Sequence, residues 1–128
     1  MQENHLFEYA VIRVVPRVER EEFINAGIIL YCKDRKFLEA RIELNKERLH
    51  SIGGCPTIPE LEDYLLGFQK ICRGEAAAGP IAQLDIASRF RWLTAARSTV
   101  VQTSKVHVGF SKDPLETLNR LHRELVEV

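Results

Sequence analysis

At 128 residues, with 45% apolar and 28% charged side chains, the chain has the composition of one folded domain with a real core. Lysine plus arginine equals aspartate plus glutamate at 18 each, so the molecule as a whole exerts no pull on a polyanion and little repulsion on its own copy. No apolar run approaches the roughly 20 residues that span a bilayer, and MQENHLFEY has neither the basic nor the apolar region of a secretory signal.

In chain order, Tyr9 to Val15 (YAVIRVV) reads as a strand closed by Pro16, which cannot donate to a ladder. Arg13 interrupts its valines, either snorkelling or ion-paired, or pointing at a site. Arg17 to Asn25 is a charged loop with room for one helical turn. Ala26 to Cys32 (AGIILYC) is apolar on both faces, as a central strand is, and Gly27 permits a bulge or a close backbone approach. After the turn Lys33 to Lys36, residues Phe37 to Leu44 alternate: Leu38, Ala40, Ile42 and Leu44 inward, Glu39, Arg41 and Glu43 outward. Two strands so joined make a hairpin.

Asn45 is placed to cap a short helix through Ile52, stopped by Gly53-Gly54. Thr57 and Glu60 form a capping-box pattern for a helix ending near Arg73, with Pro59 in its first turn. Its apolar stripe is Leu61, Tyr64, Leu65, Phe68, Ile71 and Cys72, a core face and not a cofactor box. Glu75 to Pro80 connects to a third helical stretch from about Ile81 to Trp92. Ser98 to Ser104 (STVVQTS) is strand-like but loses its alternation after Val101, which suggests an edge strand or a strand end serving a site. Asp113, Pro114 and Glu116 open a last helix with the stripe Leu115, Leu118, Leu121, Leu125 and Val126. The order β-β-β-α-α-α-β-α predicts one α+β domain over residues 1–128. Its sheet is mostly antiparallel, of about four strands, with helices packed on one face.

Two stretches, FEYAVIRVVPRVEREEFINAGIILYC and FRWLTAARSTVVQTSKVHVGFSKDP, resemble the bacterial family known as domain of unknown function 3037. The resemblance runs from about Glu8 through the last helix, and this chain departs from the family's pattern at Ala96 and Lys105, where proline is common. The family carries no established activity, so no catalytic residues follow from it. Its members are often encoded beside HipA-like kinase genes, which implies such a kinase as a partner.

Function is expected to sit in Ser88 to Ser111. No acidic residue occurs between Ile86 and Lys112, while Arg89, Arg91, Arg97, Lys105 and Lys112 do. A phosphate, nucleotide or nucleic-acid site would use Arg91 and Arg97 as bidentate donors, with Arg13 converging on them and Arg17 able to join. Ser98, Thr99, Gln102 and Thr103 would add directional hydrogen bonds, and Trp92 a stacking surface. The plainer alternative makes Phe90, Trp92 and Leu93 core and pairs the arginines with Glu19, Glu21 or Glu22.

A hydrolase or nuclease would need His107 as general base beside Glu19 or Glu22, a spacing that is no motif. Ser98 or Ser104 as nucleophile lacks the G-x-S-x-G elbow, and neither nucleotide-binding glycine motif is present. Cys32, Cys55 and Cys72 have no CxxC spacing and no histidine at ligand distance, so the sequence predicts buried reduced thiols, a cytoplasmic setting, no metal and no cofactor. The balance points away from an enzyme and toward a small interaction module with a free strand edge, docking on a partner protein or forming a homodimer.

Overall fold

A computed structural model describes residues 4–53 and 57–128. Three strands open the chain: β1 (His5–Val14), β2 (Ile24–Cys32) and β3 (Phe37–Ile42). The helices α1 (Lys46–Ser51), α2 (Ile58–Arg73) and α3 (Ile86–Leu93) follow, then the short strands β4 (Val101–Thr103) and β5 (His107–Ser111), then α4 (Pro114–Leu125). The sheet is antiparallel with order β3-β2-β1-β4, and β5 pairs with β1 beside β4. The α+β architecture with an antiparallel sheet is therefore the expected one.

The far edge of β1 is divided between two partners. β4 pairs with Ile12–Val14 and β5 with His5–Tyr9. This is why β1 begins at His5, four residues before the predicted Tyr9, and why the strand expected over Ser98–Ser104 shrinks to three residues. β5 was not foreseen. Val106, Val108 and Phe110 do alternate, but two of the three face out of the protein, so they carry the period of a strand without its burial.

Helices cover both faces of the sheet, not one. Ala10, Ile12 and Val14 of β1 with Ile29 and Tyr31 of β2 pack under Leu49 of α1, Leu61, Leu65, Phe68 and Cys72 of α2 and Phe90 and Leu93 of α3. On the other side Phe7, Val11, Ile28, Leu30 and Cys32 lie under Leu118, Leu121 and Val126 at α4. A strand that is apolar on both faces exposes one of them unless a second layer arrives, and α4 is that layer. Every residue of β2 except Asn25 is buried.

Local signals set most helix ends. Asn45 Oδ1 accepts from the Arg48 amide at 3.0 Å, and Asp113 accepts from the amides of Leu115 and Glu116. Thr57 departs from expectation: it holds the N-cap position of α2, but its side chain accepts no bond, so the predicted capping box is not made. The third helical stretch breaks in two, a single turn at Ile81–Gln83 and then α3, because Asp85 starts a fresh helix by accepting from the Ser88 amide at 2.8 Å.

The buried arc of α4 follows Pro114, Thr117, Leu118, Leu121 and His122, an i, i+3, i+4, i+7, i+8 pattern that leaves the predicted stripe members Leu115 and Leu125 exposed. Tyr64 is likewise exposed on α2.

Candidate functional site

The basic stretch folds back upon itself. Arg91, on the outer side of α3, donates to both carboxylate oxygens of Glu8 on β1, at 2.9 and 3.4 Å. That bidentate bond raises the Arg91 pKa against the opposing effect of its partial burial. Its acid is Glu8, not the Glu19, Glu21 or Glu22 expected from sequence. Arg97 lies 4.6 Å over the Trp92 ring and donates to the Trp92 carbonyl. Arg89 donates to the Leu84 carbonyl at 2.7 Å.

The hydroxyl and amide donors are also used locally. Thr99 donates to Val101 O and the Gln102 amide to Thr99 O, each at 2.7 Å, and Thr103 reaches Thr94 O at 3.4 Å. Ser104 is buried, accepts from the Val11 amide at 2.8 Å and donates to Lys105 O at 2.9 Å. Its proton is held by a carbonyl, which leaves no base to activate it as a nucleophile.

The arginines do not converge. Arg91, Arg97 and Arg13 line three different cavities of about 250, 270 and 300 Å³ respectively. Arg13 keeps company with Ser98 and Gln102 alone of the predicted set, and their cavity is completed by Glu21 and Phe23. Arg13 stands opposite Gln102 in the β1–β4 register, and the β1–β2 register shifts between Ile12 and Arg13. Such a bulge re-aims a side chain. The Arg13 guanidinium sits 4.1 Å over the Phe23 ring.

His107 is exposed and packs its ring 5.2 Å from that of Tyr9, while Glu22 is engaged with Arg20. Among the described residues neither Glu19 nor Glu22 contacts His107, so the acid–base pair expected of a hydrolase is not assembled.

What sequence reasoning missed is the outer side of β5. Its outer edge pairs with no strand among the described residues. Val108 and Phe110 are 67% and 70% exposed, and Leu6, directly opposite Phe110 on β1, is 49% exposed. The Arg91–Glu8 ion pair marks where the helical cover ends, since Glu8 is the next residue along this face and stands opposite Val108. Beyond it the sheet is bare and apolar. Lys105 and Lys112 flank the strand, both exposed.

A family model described as "Protein of unknown function (DUF3037)" matches residues 9–126. The chain belongs to the DUF3037 family. No curated protein and no solved structure matches it. Among its described residues this DUF3037 protein groups no three His, Cys, Asp or Glu side chains as metal ligands, and no helix is long and apolar enough to cross a membrane. Cys32 and Cys72 are free and buried as expected, and burial pushes the Cys72 thiol up to about 12. Cys55 and Gly54 lie outside the described residues. His122, which no motif singles out, is wholly buried at α4 with Nε2 3.6 Å from a Glu43 oxygen.

Proposed function

We propose that this DUF3037 protein is a protein-interaction module that receives an extended segment of a partner on the outer edge of β5. The observation that carries this reading is the coincidence of an unpaired strand edge with the exposed trio Leu6, Val108 and Phe110. An unpaired edge offers a row of backbone donors and acceptors, and alternate side chains of an added strand would meet the apolar trio. With Lys105 and Lys112 at its ends and no acid between Ile86 and Lys112, the edge favours a segment with alternating apolar residues and acidic flanks.

The family's frequent gene neighbourhood makes a HipA-like kinase the partner to test first. A second copy of the chain is the competing occupant, and the zero net charge leaves it little opposed. The buried unpaired thiols Cys32 and Cys72 support a bacterial cytoplasmic setting. Nothing in this reading requires catalysis. The reading of Ser88–Ser111 as a phosphate, nucleotide or nucleic-acid surface has less support, because Arg91, Arg97 and most of the neighbouring hydroxyls are engaged within the fold.

The test is co-expression with the product of the neighbouring kinase gene, followed by size-exclusion chromatography with light scattering. The expected result is co-elution, abolished in the double variant Val108→Asp/Phe110→Asp while its melting temperature stays near that of the parent. Two separately eluting proteins, or a complex indifferent to the double variant, would overturn the proposal. A homodimer that the variant dissociates would assign the edge to self-association instead.

A further inference from the structure

We propose that the cavity at the bulged end of β1 binds a small aliphatic α-amino acid, with Arg13 holding its carboxylate and Glu21 its ammonium group. This site is independent of the β5 edge and lies at the opposite end of β1.

The first observation is an unsatisfied cation. Among the described residues Arg13 makes no hydrogen bond and no ion pair, and its Nε is buried without a partner. Arg41, Arg89, Arg91 and Arg97 by contrast each donate to an oxygen; Arg89 Nε is likewise buried without a partner, but its guanidinium is held by the Leu84 carbonyl through another nitrogen. A half-buried guanidinium with no acceptor is costly to keep, and leucine or valine would continue the strand without that cost. The Phe23 ring 4.1 Å beneath it supports the charge and leaves the in-plane donors to meet a planar carboxylate.

The second observation is that opposite charges share one cavity without pairing. Glu21 lines the same space as Arg13, yet the two form no ion pair. Glu21 also holds a left-handed backbone, φ 57°, where its β-carbon is crowded. This conformation caps the turn Val18–Arg20, with the Glu21 amide donating to the Val18 carbonyl at 3.2 Å, and it fixes where the side chain leaves the backbone. The shift in register beside Arg13 is a second aiming device on the facing wall.

The chemistry of the occupant follows. A phosphate dianion would meet the Glu21 carboxylate as well as Arg13, whereas a zwitterion satisfies both. The Gln102 amide is oriented by its bond to Thr99 O, which leaves its oxygen as an acceptor for the ammonium, and the Ser98 hydroxyl adds a further donor. Val15 and Val18 supply an apolar wall for an aliphatic side chain. At about 300 Å³ the cavity is at the small end of ligand sites, the size for one small molecule and not a nucleotide.

The experiment titrates the full chain with L-valine and L-leucine, with isobutyrate and isobutylamine as half-ligands, and with inorganic phosphate. Amide resonances and melting temperature are the readouts. An α-amino acid is expected to shift the amides of Arg13, Glu21, Phe23 and Gln102 saturably at millimolar concentration and to raise the melting temperature. Isobutyrate should bind at least about tenfold more weakly, and Arg13→Gln should weaken the amino acid at least about tenfold. Glu21→Gln should erase the preference for the amino acid over isobutyrate. If Arg13→Gln does not fold, Arg13→Lys keeps the charge but not the fork, and is expected to lose affinity while staying folded. The proposal is overturned if neither amino acid perturbs these amides, if phosphate or isobutyrate binds as tightly as the amino acid, or if the folded variants bind like the parent. Val108→Asp/Phe110→Asp should bind the amino acid normally, which separates this site from the docking edge.

Discussion

Ser104 and Val11 exchange two hydrogen bonds at the point where β1 changes partners. The Ser104 amide donates to the Val11 carbonyl and the Val11 amide donates to Ser104 Oγ, each at 2.8 Å. β4 has just ended at Thr103 and β5 has not begun, so no backbone acceptor is in register with the Val11 amide. A side-chain oxygen takes its place in the ladder, which lets one strand edge serve two short strands without an orphaned amide.

Ser104→Ala should therefore cost about 1–3 kcal/mol, the penalty for a buried donor left without an acceptor. Urea denaturation is the check. A cost near zero would mean that the Val11 amide finds water or another acceptor.

Helix caps should separate by geometry and not by residue type. Asp113→Ala and Asp85→Ala each remove a side chain that accepts from the first turn, and each should cost about 1 kcal/mol. Thr57→Ala removes a side chain that accepts nothing there and should cost less than either. Equal losses in parallel denaturation curves would refute the distinction.

Gly27→Ala should destabilise the sheet by about 1–3 kcal/mol, because a β-carbon there would stand 2.6 Å from the Arg41 carbonyl oxygen of β3. A backbone atom in a paired strand cannot swing aside as a side chain can. Gly67→Ala, in α2 with nothing within 4 Å of the added atom, is the opposite case and should stabilise by about 0.5–1 kcal/mol. Melting temperatures should move in opposite directions.

Alkaline pH should weaken the fold through Cys72. Burial raises its folded pKa from 9.0 to about 12, so between those values the unfolded chain releases a proton that the folded one keeps. The stabilisation is complete below about pH 9 and lost as pH rises toward 12, at no more than about 1.4 kcal/mol per pH unit. Tyr31, also raised by burial, acts in the same direction from a higher starting pH. Denaturation between about pH 8 and about pH 10.5 should show a shallower slope for Cys72→Ala than for the parent. Native-state alkylation mapped by mass spectrometry should leave Cys32 and Cys72 unlabelled, since both are buried and Cys72 is protonated at neutral pH.

How much of this was legible in advance divides along the range of the interactions. The hairpin of β2 and β3, the inward set Leu38, Ala40, Ile42 and Leu44, and the caps at Asn45 and Asp113 were all readable. Each depends on groups a few residues apart, where alternation and capping geometry are dictated by the backbone itself. Thr57 shows the limit even at short range: it has the right residue type at the right position, but its hydroxyl does not reach the amide it was expected to cap.

The arginines failed for the converse reason. Counted along the chain, Arg91 and Arg97 form one basic stretch with shared donors. In space their partners are Glu8, 83 positions from Arg91, and Trp92, five positions from Arg97, while Arg13 faces its cavity with no hydrogen-bond acceptor among the described residues.

By itself, then, the sequence determined most of the elements, though not β5, and the doubly apolar character of β2, because periodicity and capping are properties of neighbouring residues. It determined the family as well, through two long stretches at the ends of the domain. Only the tertiary structure decided that β1 would be shared by β4 and β5, that α4 would cover the second face, and that Val108 and Phe110 would lie open at an edge. Those outcomes depend on which distant strands come into register with the unpaired amides of β1. No local propensity encodes that choice, since a valine or phenylalanine on a strand has the same pattern whether its side chain meets a helix or water.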